Sequence, residues 1–555
     1  MRQTEGTAVR LASFVLVIVL VVDAPRARAD FAFGTPTKFG PPLNSGYVED
    51  VDCISADGLE LYFDSRRPGG LGNFDLWVAR RDTTDAAWGE PVNLGPAVNS
   101  AYAETYACLS PDGLELYFNS ENRPGGYGDW DLWVTKRTTK EDPWGPPVNL
   151  GPTVNGPAGE VSASISADGL ELYFMVGTYW VGSTIWVTRR ETENDPWGTP
   201  AKLGPTINSA AYQGLLCLSP DGLTLFFCDA WPSGPFRSGG LGGEDIWVTT
   251  RATPSDEWGI PRNLGRPVNS PLNEDSPRLS PDGSTLYFNR GTTSVHEVWQ
   301  APIVPIVDFN GDGKVDLQDL QALIEHWGQK EPAFDIAPPP LGDGTVDAKD
   351  LEVLMCYWQQ NVNDPRLAAH WKLDETEGIV AADGIRSSNG TLIGNSIWEP
   401  AGGKLGGAVR LDGMGACVST PFVSDPSEGP FSVSAWIKGG ASGQVIVSQD
   451  KGANWLMLAP DGALMTELKQ PGRQGKPLVS PVVVTDGAWH RVGLVWDGSN
   501  RILYLDGVEV AADTQTTLRG TYTGLHIGAG ATFAPGTFWK GLIDDVRIYD
   551  RAVKP

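Results

Sequence analysis

The sequence predicts a mostly β protein in three parts: a five-bladed β-propeller over residues 30–303, a small α module with acidic loops over 304–362, and a C-terminal β-sandwich of jelly-roll type over 363–555. Three observations carry this division. The phrase Ser-x-Asp-Gly recurs five times in the first half, starting at Ser55, Ser110, Ser166, Ser219 and Ser280. The run VDFNGDGKVDLQDL, residues 307–320, crowds acids into one glycine-containing loop. From about His370 onward, long runs alternate apolar and polar residues, as at Phe431, Val433, Ala435 and Ile437.

A chain of 555 residues exceeds one ordinary core, which agrees with several domains. Its net charge of -26 argues against nucleic acid or an anionic membrane as partner, because both would repel it. Residues 1–29 read as a secretory signal peptide, with a basic start, an apolar run from Leu11 to Val22 and a small-x-small site at Ala27-Arg28-Ala29. The apolar run is shorter than the ~20 residues of a membrane span, and no later segment is long enough. The expectation is therefore a mature chain without a transmembrane segment, secreted or otherwise extracytoplasmic, at the cell surface or in the periplasm. Cys53, Cys108 and Cys217 occupy one place in successive repeats and read as small buried apolar residues, so few or no disulfides are expected.

Each Ser-x-Asp-Gly phrase stands between two short alternating runs, such as LELYF at 59–63 and 114–118, which is a hairpin signal. A third strand follows in every unit, DLWV at 75 and 131, TIWV at 184, DIWV at 245 and EVWQ at 297. A Trp-Gly turn and a phrase like PVNLGPAVNS then lead to the next unit. Short antiparallel strands repeated in this way fit propeller blades better than a sandwich. KFGPPLNS at 38–45 matches that linking phrase without a blade of its own before it, so the N-terminus is expected to complete the last blade. The units resemble the WD-like repeats of bacterial exported propellers, including the periplasmic Tol-system protein. That resemblance implies a fold and no particular activity.

Alignment on the serine places Glu49, Glu104, Glu160, Gln213 and Glu274 six residues upstream. If that strand is innermost, these side chains form a ring near the channel that could bind a cation or sugar, or serve as acid and base in glycoside cleavage. The competing reading is architectural, with each Glu bonded to the neighbouring blade's backbone. Arg67, Arg123 and Arg237 fall in corresponding Gly-Gly loops and are expected to be solvated. Three such arginines invite comparison with sialidases, but the Gly directly after Asp and the missing Trp do not fit the sialidase repeat.

Counting from Asp308 as position 1, Asn310, Asp312, Lys314, Asp316 and Asp319 fall at 3, 5, 7, 9 and 12, with Gly313 at 6. This is the spacing of a calcium loop: hard oxygen donors, a glycine for the sharp turn and a backbone carbonyl at position 7. A helix is predicted next, with Leu317, Leu320, Leu323, Ile324 and Trp327 on one face. Pro302 and Pro305 exclude a regular helix before the loop. One helix per loop, twice over, resembles the dockerin family. In the second half Asp343, Thr345, Asp347 and Asp350 match positions 5, 7, 9 and 12, and Leu351, Leu354, Tyr357 and Trp358 form the helix face; strict counting puts Pro339 and Leu341 at positions 1 and 3, where only Asp335, beyond an insertion, could substitute. The resemblance implies Ca2+ as cofactor and a cohesin as partner, although a place between two large domains suits a calcium-stiffened spacer better than a terminal docking tail.

In the last third, HWKLDE, FSVSAWIK, WHRVGLVWDG, LYLDGVEV and GLIDDVRIYDRAV resemble the laminin G-like, concanavalin A-like family. This implies a jelly roll that binds sugars or proteins. The Glu-x-Asp-x-Glu strand of related glucanases is missing, which favours a lectin-like role over catalysis. Asp374 and Asp544 are candidate calcium ligands there, and Asp544 and Asp545 are expected to end a strand. The whole reads as a secreted, non-catalytic, calcium-binding adhesion protein that recognises extracellular carbohydrate or a protein partner. The alternatives are a polysaccharide-acting glycoside hydrolase using Glu49, Glu104, Glu160 and Glu274, or a cohesin-docked component of a polysaccharide-degrading complex.

Overall fold

A computed structural model describes residues 31–555 apart from 179–181, 209–211, 230–236, 238–239, 242, 252, 293–294, 311–312, 330–332, 338–341, 343–344, 363, 365, 386–387, 428 and 470–475. The predicted signal peptide lies outside the described residues.

Each Ser-x-Asp-Gly phrase makes the turn between the first two strands of a blade. Ser55 Oγ donates to Asp57 Oδ1 at 2.6 Å and accepts from Glu60 N at 2.9 Å, while Gly58 sits at φ +73, a conformation that costs glycine nothing. The first blade so formed comprises Glu49–Ile54, Glu60–Ser65, Asp75–Arg80 and Val92–Asn93, all antiparallel. Blades two to four repeat this order from Glu104–Leu109, Glu160–Ile165 and Gln213–Leu218. The fifth uses Asn273–Leu279, Thr285–Thr292 and Val295–Pro305, and Thr37–Lys38 supplies its outer strand. Lys38 pairs with Trp299 as Asn93 pairs with Trp77, so the N-terminus closes the ring. Pro302 and Pro305 lie on that last strand, which Phe31–Phe33 also joins.

The linking phrase has a structural task at its asparagine. Asn99 Oδ1 accepts from Leu76 N at 2.9 Å and its Nδ2 donates to Leu76 O at 3.0 Å, a side chain standing in for a strand neighbour. Asn44, Asn155, Asn208 and Asn269 do the same on Val298, Leu132, Ile185 and Ile246. Aromatic residues then weld neighbouring blades together. Tyr62 of the first blade shares a buried cluster with Phe118 and Trp144 of the second, each contributing about 1.5–3 kcal/mol by leaving water.

The middle module holds α1, Leu317–Glu325, and α2, Ala348–Cys356, over a small core of Val307, Val315, Leu323, Ile336, Val346 and Leu354. Of the expected α1 face, Leu323 is buried, but Leu317, Ile324 and Trp327 are exposed. A nine-residue helix turned toward so small a core covers only a narrow stripe, which corrects the wider face read from periodicity.

The C-terminal domain is two packed eight-stranded antiparallel sheets, a jelly-roll sandwich. Leu367–Trp371, its first strand, pairs with Lys540–Tyr549, its last. Trp371, Trp455 and Trp539 fill the space between the sheets with no exposed surface.

Candidate functional site

The strands that carry Glu49, Glu104, Glu160, Gln213 and Glu274 are the innermost of their blades, yet these side chains do not form an open ring. Glu104 accepts from Ser100 N at 2.9 Å, Ser100 Oγ at 2.5 Å and Ser120 Oγ at 2.8 Å. Glu49 and Glu274 bond Ser45 and Ser270 in the same way, and Glu160 accepts from Gly156 N at 2.9 Å. Burial raises the pKa of all four carboxyls, that of Glu160 to about 7. Arg67, Arg123, Arg237 and Arg290 are half-buried rather than solvated, because each guanidinium stacks on the rings of its blade and donates to the carbonyl before the linking asparagine: Leu43, Val98, Ile207 and Val268.

One position further along, the same strands do face the axis. Beyond Thr105, Val161, Gly214 and Asp275 the chain bulges, with Tyr106, Ser162, Leu215 and Ser276 at φ near +50. A cavity of about 590 Å³ opens there, lined from four blades and touched by none of the four glutamates. Phe74, Tyr106, Trp130, Tyr212 and Leu215 form its apolar side. Asp50, Glu244, Asp275 and His296 line it together with the polar Arg66, Asn73, Thr105 and Glu121. Asn289 Nδ2 donates to Asp50 Oδ1 at 2.6 Å and to Asp275 Oδ1 at 3.1 Å. His296 Nδ1 lies 3.5 Å from Asp50 Oδ1 and 3.6 Å from Asp275 Oδ2. Burial would lower the imidazole pKa, but the bond to Asp50 and the charges of Asp275 and Asp50 lift it to about 9. Burial and the neighbouring carboxylates push Glu244 and Asp275 up. Deeper in the channel, Arg278 donates to Asp52 O and Leu216 O and ties three blades across the axis. Sequence reading missed this polar group because Asp50 and Asp275 share one aligned position and Glu244 and His296 another, while the remaining repeats carry apolar or neutral residues at both. The signal available was the departure of Asp50 and Asp275 from Thr105, Val161 and Gly214 at the aligned position.

In the middle module the two halves superpose by their hydrogen bonds. Asp319 Oδ1 accepts from Phe309 N and Asn310 N at 2.8 and 3.3 Å, and Asp350 Oδ1 accepts from Ile336 N and Ala337 N at 2.6 and 2.8 Å. Residue 309 thus corresponds to 336, which puts Asp335 in the place of Asp308. Asp316 and Asp347 cap the two helices, and Asp308 Oδ2 accepts from Gly313 N at 2.8 Å. Lys314 pairs with Asn361 through its backbone, and Thr345 is half-buried. Asp312 and Asp343 lie outside the described residues. The donor set fits a hard cation: oxygens only, with Gly313 at φ +88 for the tight turn.

In the jelly roll, Asp374 and Asp544 converge on one turn. Asp374 Oδ1 accepts from Gly407 N at 2.5 Å, and Asp544 Oδ2 accepts from Lys404 N and Leu405 N at 2.6 and 2.8 Å. Asp544 and Asp545 sit inside Lys540–Tyr549 rather than ending it, at a bulge where Asp545 turns to His370 and Arg547. At the domain's rim Phe422 and Tyr522 face each other at 5.7 Å, exposed by 40% and 72%. Beside them Asp425, Ser424, Asp550 and the propeller's Arg266 line a cavity of about 220 Å³.

A family model described as the concanavalin A-like lectin/glucanases superfamily matches residues 412–555. The C-terminal jelly roll is thus a concanavalin A-like, laminin G-like domain, and its sheets begin well before the matched segment, at Leu367. No curated protein matches the chain. Among solved structures, a Trypanosoma rangeli sialidase in complex with the inhibitor DANA is similar at 13% identity, over 94% of this chain and 92% of that one, with a TM-score of 0.44. Domain 4 of an extracellular arabinanase from Geobacillus stearothermophilus, in complex with arabinotriose, is similar at 22% identity over 34% of this chain and 94% of that one, TM-score 0.26.

Proposed function

We propose that this is an exported carbohydrate-binding protein, with the jelly-roll rim at Phe422 and Tyr522 as its sugar platform. The observation that carries the reading is this exposed aromatic pair, next to hydrogen-bonding acids, on a concanavalin A-like domain. Sugar rings present flat C–H faces that stack on such aromatics, while carboxylates and hydroxyls orient the hydroxyl groups. Calcium belongs to the same reading: Asp308, Asn310, Asp312, Asp316 and Asp319 with the Lys314 carbonyl would hold one ion, and Asp335, Asp343, Asp347 and Asp350 with the Thr345 carbonyl a second. The ions would neutralise crowded acids and stiffen a dockerin-like spacer. A cohesin-type protein partner at the exposed Leu317, Ile324 and Trp327 is compatible with it.

The second reading is glycoside cleavage in the propeller, favoured by the mouth cavity, which carboxylates and aromatic rings line together. One experiment separates the two. The mature protein in calcium is tested against a panel of polysaccharides for retardation in affinity gels and for release of reducing ends. Retardation without release supports binding. Release that persists in Glu104→Gln and Glu160→Gln but fails in Asp275→Asn makes it a hydrolase at the mouth, and neither retardation nor release overturns both.

A further inference from the structure

We propose that the mouth of the propeller is a binding site for a divalent first-row transition cation, Mn2+ or Zn2+, held by Asp50, Glu244, Asp275 and His296. It is distinct from the calcium loops and independent of the sugar platform. Asp50 comes from the innermost strand of the first blade, Asp275 and His296 from the fifth, and Glu244 from the residue before the third strand of the fourth. One ligand atom each of Asp50, Asp275 and His296 lies within 4.8 Å of the other two.

A group of acids alone would be a repulsive surface. Here two further facts point to a cation. Glu244 is only 4% exposed, and its Oε2 is buried without a hydrogen-bond partner among the described residues. His296 turns its Nδ1 toward both aspartates, 3.5 Å from Asp50 Oδ1 and 3.6 Å from Asp275 Oδ2. Leaving the Glu244 oxygen unsatisfied is unfavourable, and a cation shared with the two aspartates and the imidazole Nδ1 satisfies it. Asn289 holds the two aspartates from behind through one amide, the kind of outer contact that orients metal ligands.

The donor set decides the class of ion. Three carboxylates and an imidazole exclude a soft ion that wants thiolates, and the imidazole disfavours Ca2+ and Mg2+, which take oxygen donors. Zn2+ and Mn2+ accept this mixture.

The test uses the full mature chain, stripped with chelator, returned to excess Ca2+ to fill the calcium loops, and dialysed against Mn2+ or Zn2+. Metal is then counted per chain and its affinity measured by titration. The expected result is one equivalent of Mn2+ or Zn2+ in the wild type and in Asp308→Asn, with affinity reduced about tenfold or more in Asp275→Asn and His296→Gln. Should those variants fail to fold, pulsed EPR of the Mn2+-loaded wild type reads coupling to an imidazole nitrogen, and its presence supports the site. Failure to retain either metal, retention undiminished in folded His296→Gln, or no nitrogen coupling overturns the proposal.

Discussion

Arg137 of the second blade donates from Nη2 to Glu60 Oε2 of the first at 3.0 Å, with its guanidinium 4.4 Å over the Trp144 ring. The same bridge joins Arg251 to Glu171 at 3.0 Å, and Arg190 approaches Glu115 at 3.8 Å. Tyr62, Tyr117 and Tyr173 donate to the same three carboxylates. At the closing seam the arrangement is incomplete. Tyr287 of the fifth blade and Trp88 of the first share a cluster, and Arg81 lies 4.2 Å over Trp88, but Thr285 stands where the glutamate would be. A cavity of about 920 Å³ opens beside them.

Thr285→Glu should complete a fourth bridge and stabilise the propeller by about 1 kcal/mol, since a charge-assisted hydrogen bond to a partly buried arginine exceeds the threonine contact it replaces. Glu171→Gln should cost about 1–2 kcal/mol by the converse argument. Both are read as shifts of the propeller's calorimetric transition. A lowered transition in Thr285→Glu would mean that the seam does not admit the longer side chain.

Glu160 gives a pH prediction with a definite sign. Burial lifts its carboxyl to about 7 from an ordinary 4.5, against one opposing hydrogen bond from Gly156 N. The folded chain then holds this proton more tightly than the unfolded chain, so stability falls as pH rises from 4.5 to 7 and stays at its lowest above. Glu160→Gln removes the ionisation, and the aligned Gln213 shows that the position takes an amide. The variant should gain roughly 1–3 kcal/mol above pH 7 and nothing below the ordinary carboxyl pKa. Denaturant midpoints across that range decide it, and a gain independent of pH would exclude the ionisation as cause.

The blades were legible because their turns are dictated by short-range chemistry: Ser-x-Asp-Gly cannot make its hydroxyl-to-carboxylate turn without those three residues. Closure was legible because KFGPPLNS repeats a phrase whose asparagine has one structural task. Neither the arginine stacking nor the mouth cavity was readable, since both depend on which residues distant in sequence meet. Arg67 is half-buried under Trp77 and the Leu43 carbonyl, and nothing near it in sequence announces either contact. The exposed Leu317 and Trp327 were misplaced because helical periodicity says which residues share a face, not how wide a neighbour covers it.

In the middle module, calcium removal should be felt most where backbone and ion compete for the same acids. Chelation should lower the module's unfolding transition in the wild type, and should have little further effect in Asp308→Asn. Asp319→Ala should cost about 2–3 kcal/mol even without calcium, because it strips partners from the N–H groups of Phe309, Asn310 and Asp316. A wild-type transition that ignores chelator would remove calcium from the account and leave Asp319 as a purely structural cap.

Phe422 and Tyr522 make the sugar platform testable without confusion from folding. Both rings are exposed, Tyr522 by 72%, so their removal leaves no cavity in the core and should change stability by less than about 0.5 kcal/mol. Trp455, with no exposure and the Phe431 ring at 5.2 Å, is the contrast: its change to alanine should cost about 3–5 kcal/mol and unfold the domain. Loss of one stacking ring is worth about 0.5–1.5 kcal/mol, so Tyr522→Ala or Phe422→Ala should weaken retardation in polysaccharide gels about two- to tenfold, and the double variant more. The circular dichroism and melting of both should match the wild type. Retardation that survives the double variant would move the sugar site off this rim, and the aromatic wall of the propeller mouth, at Tyr106, Trp130 and Tyr212, would be the next surface to change.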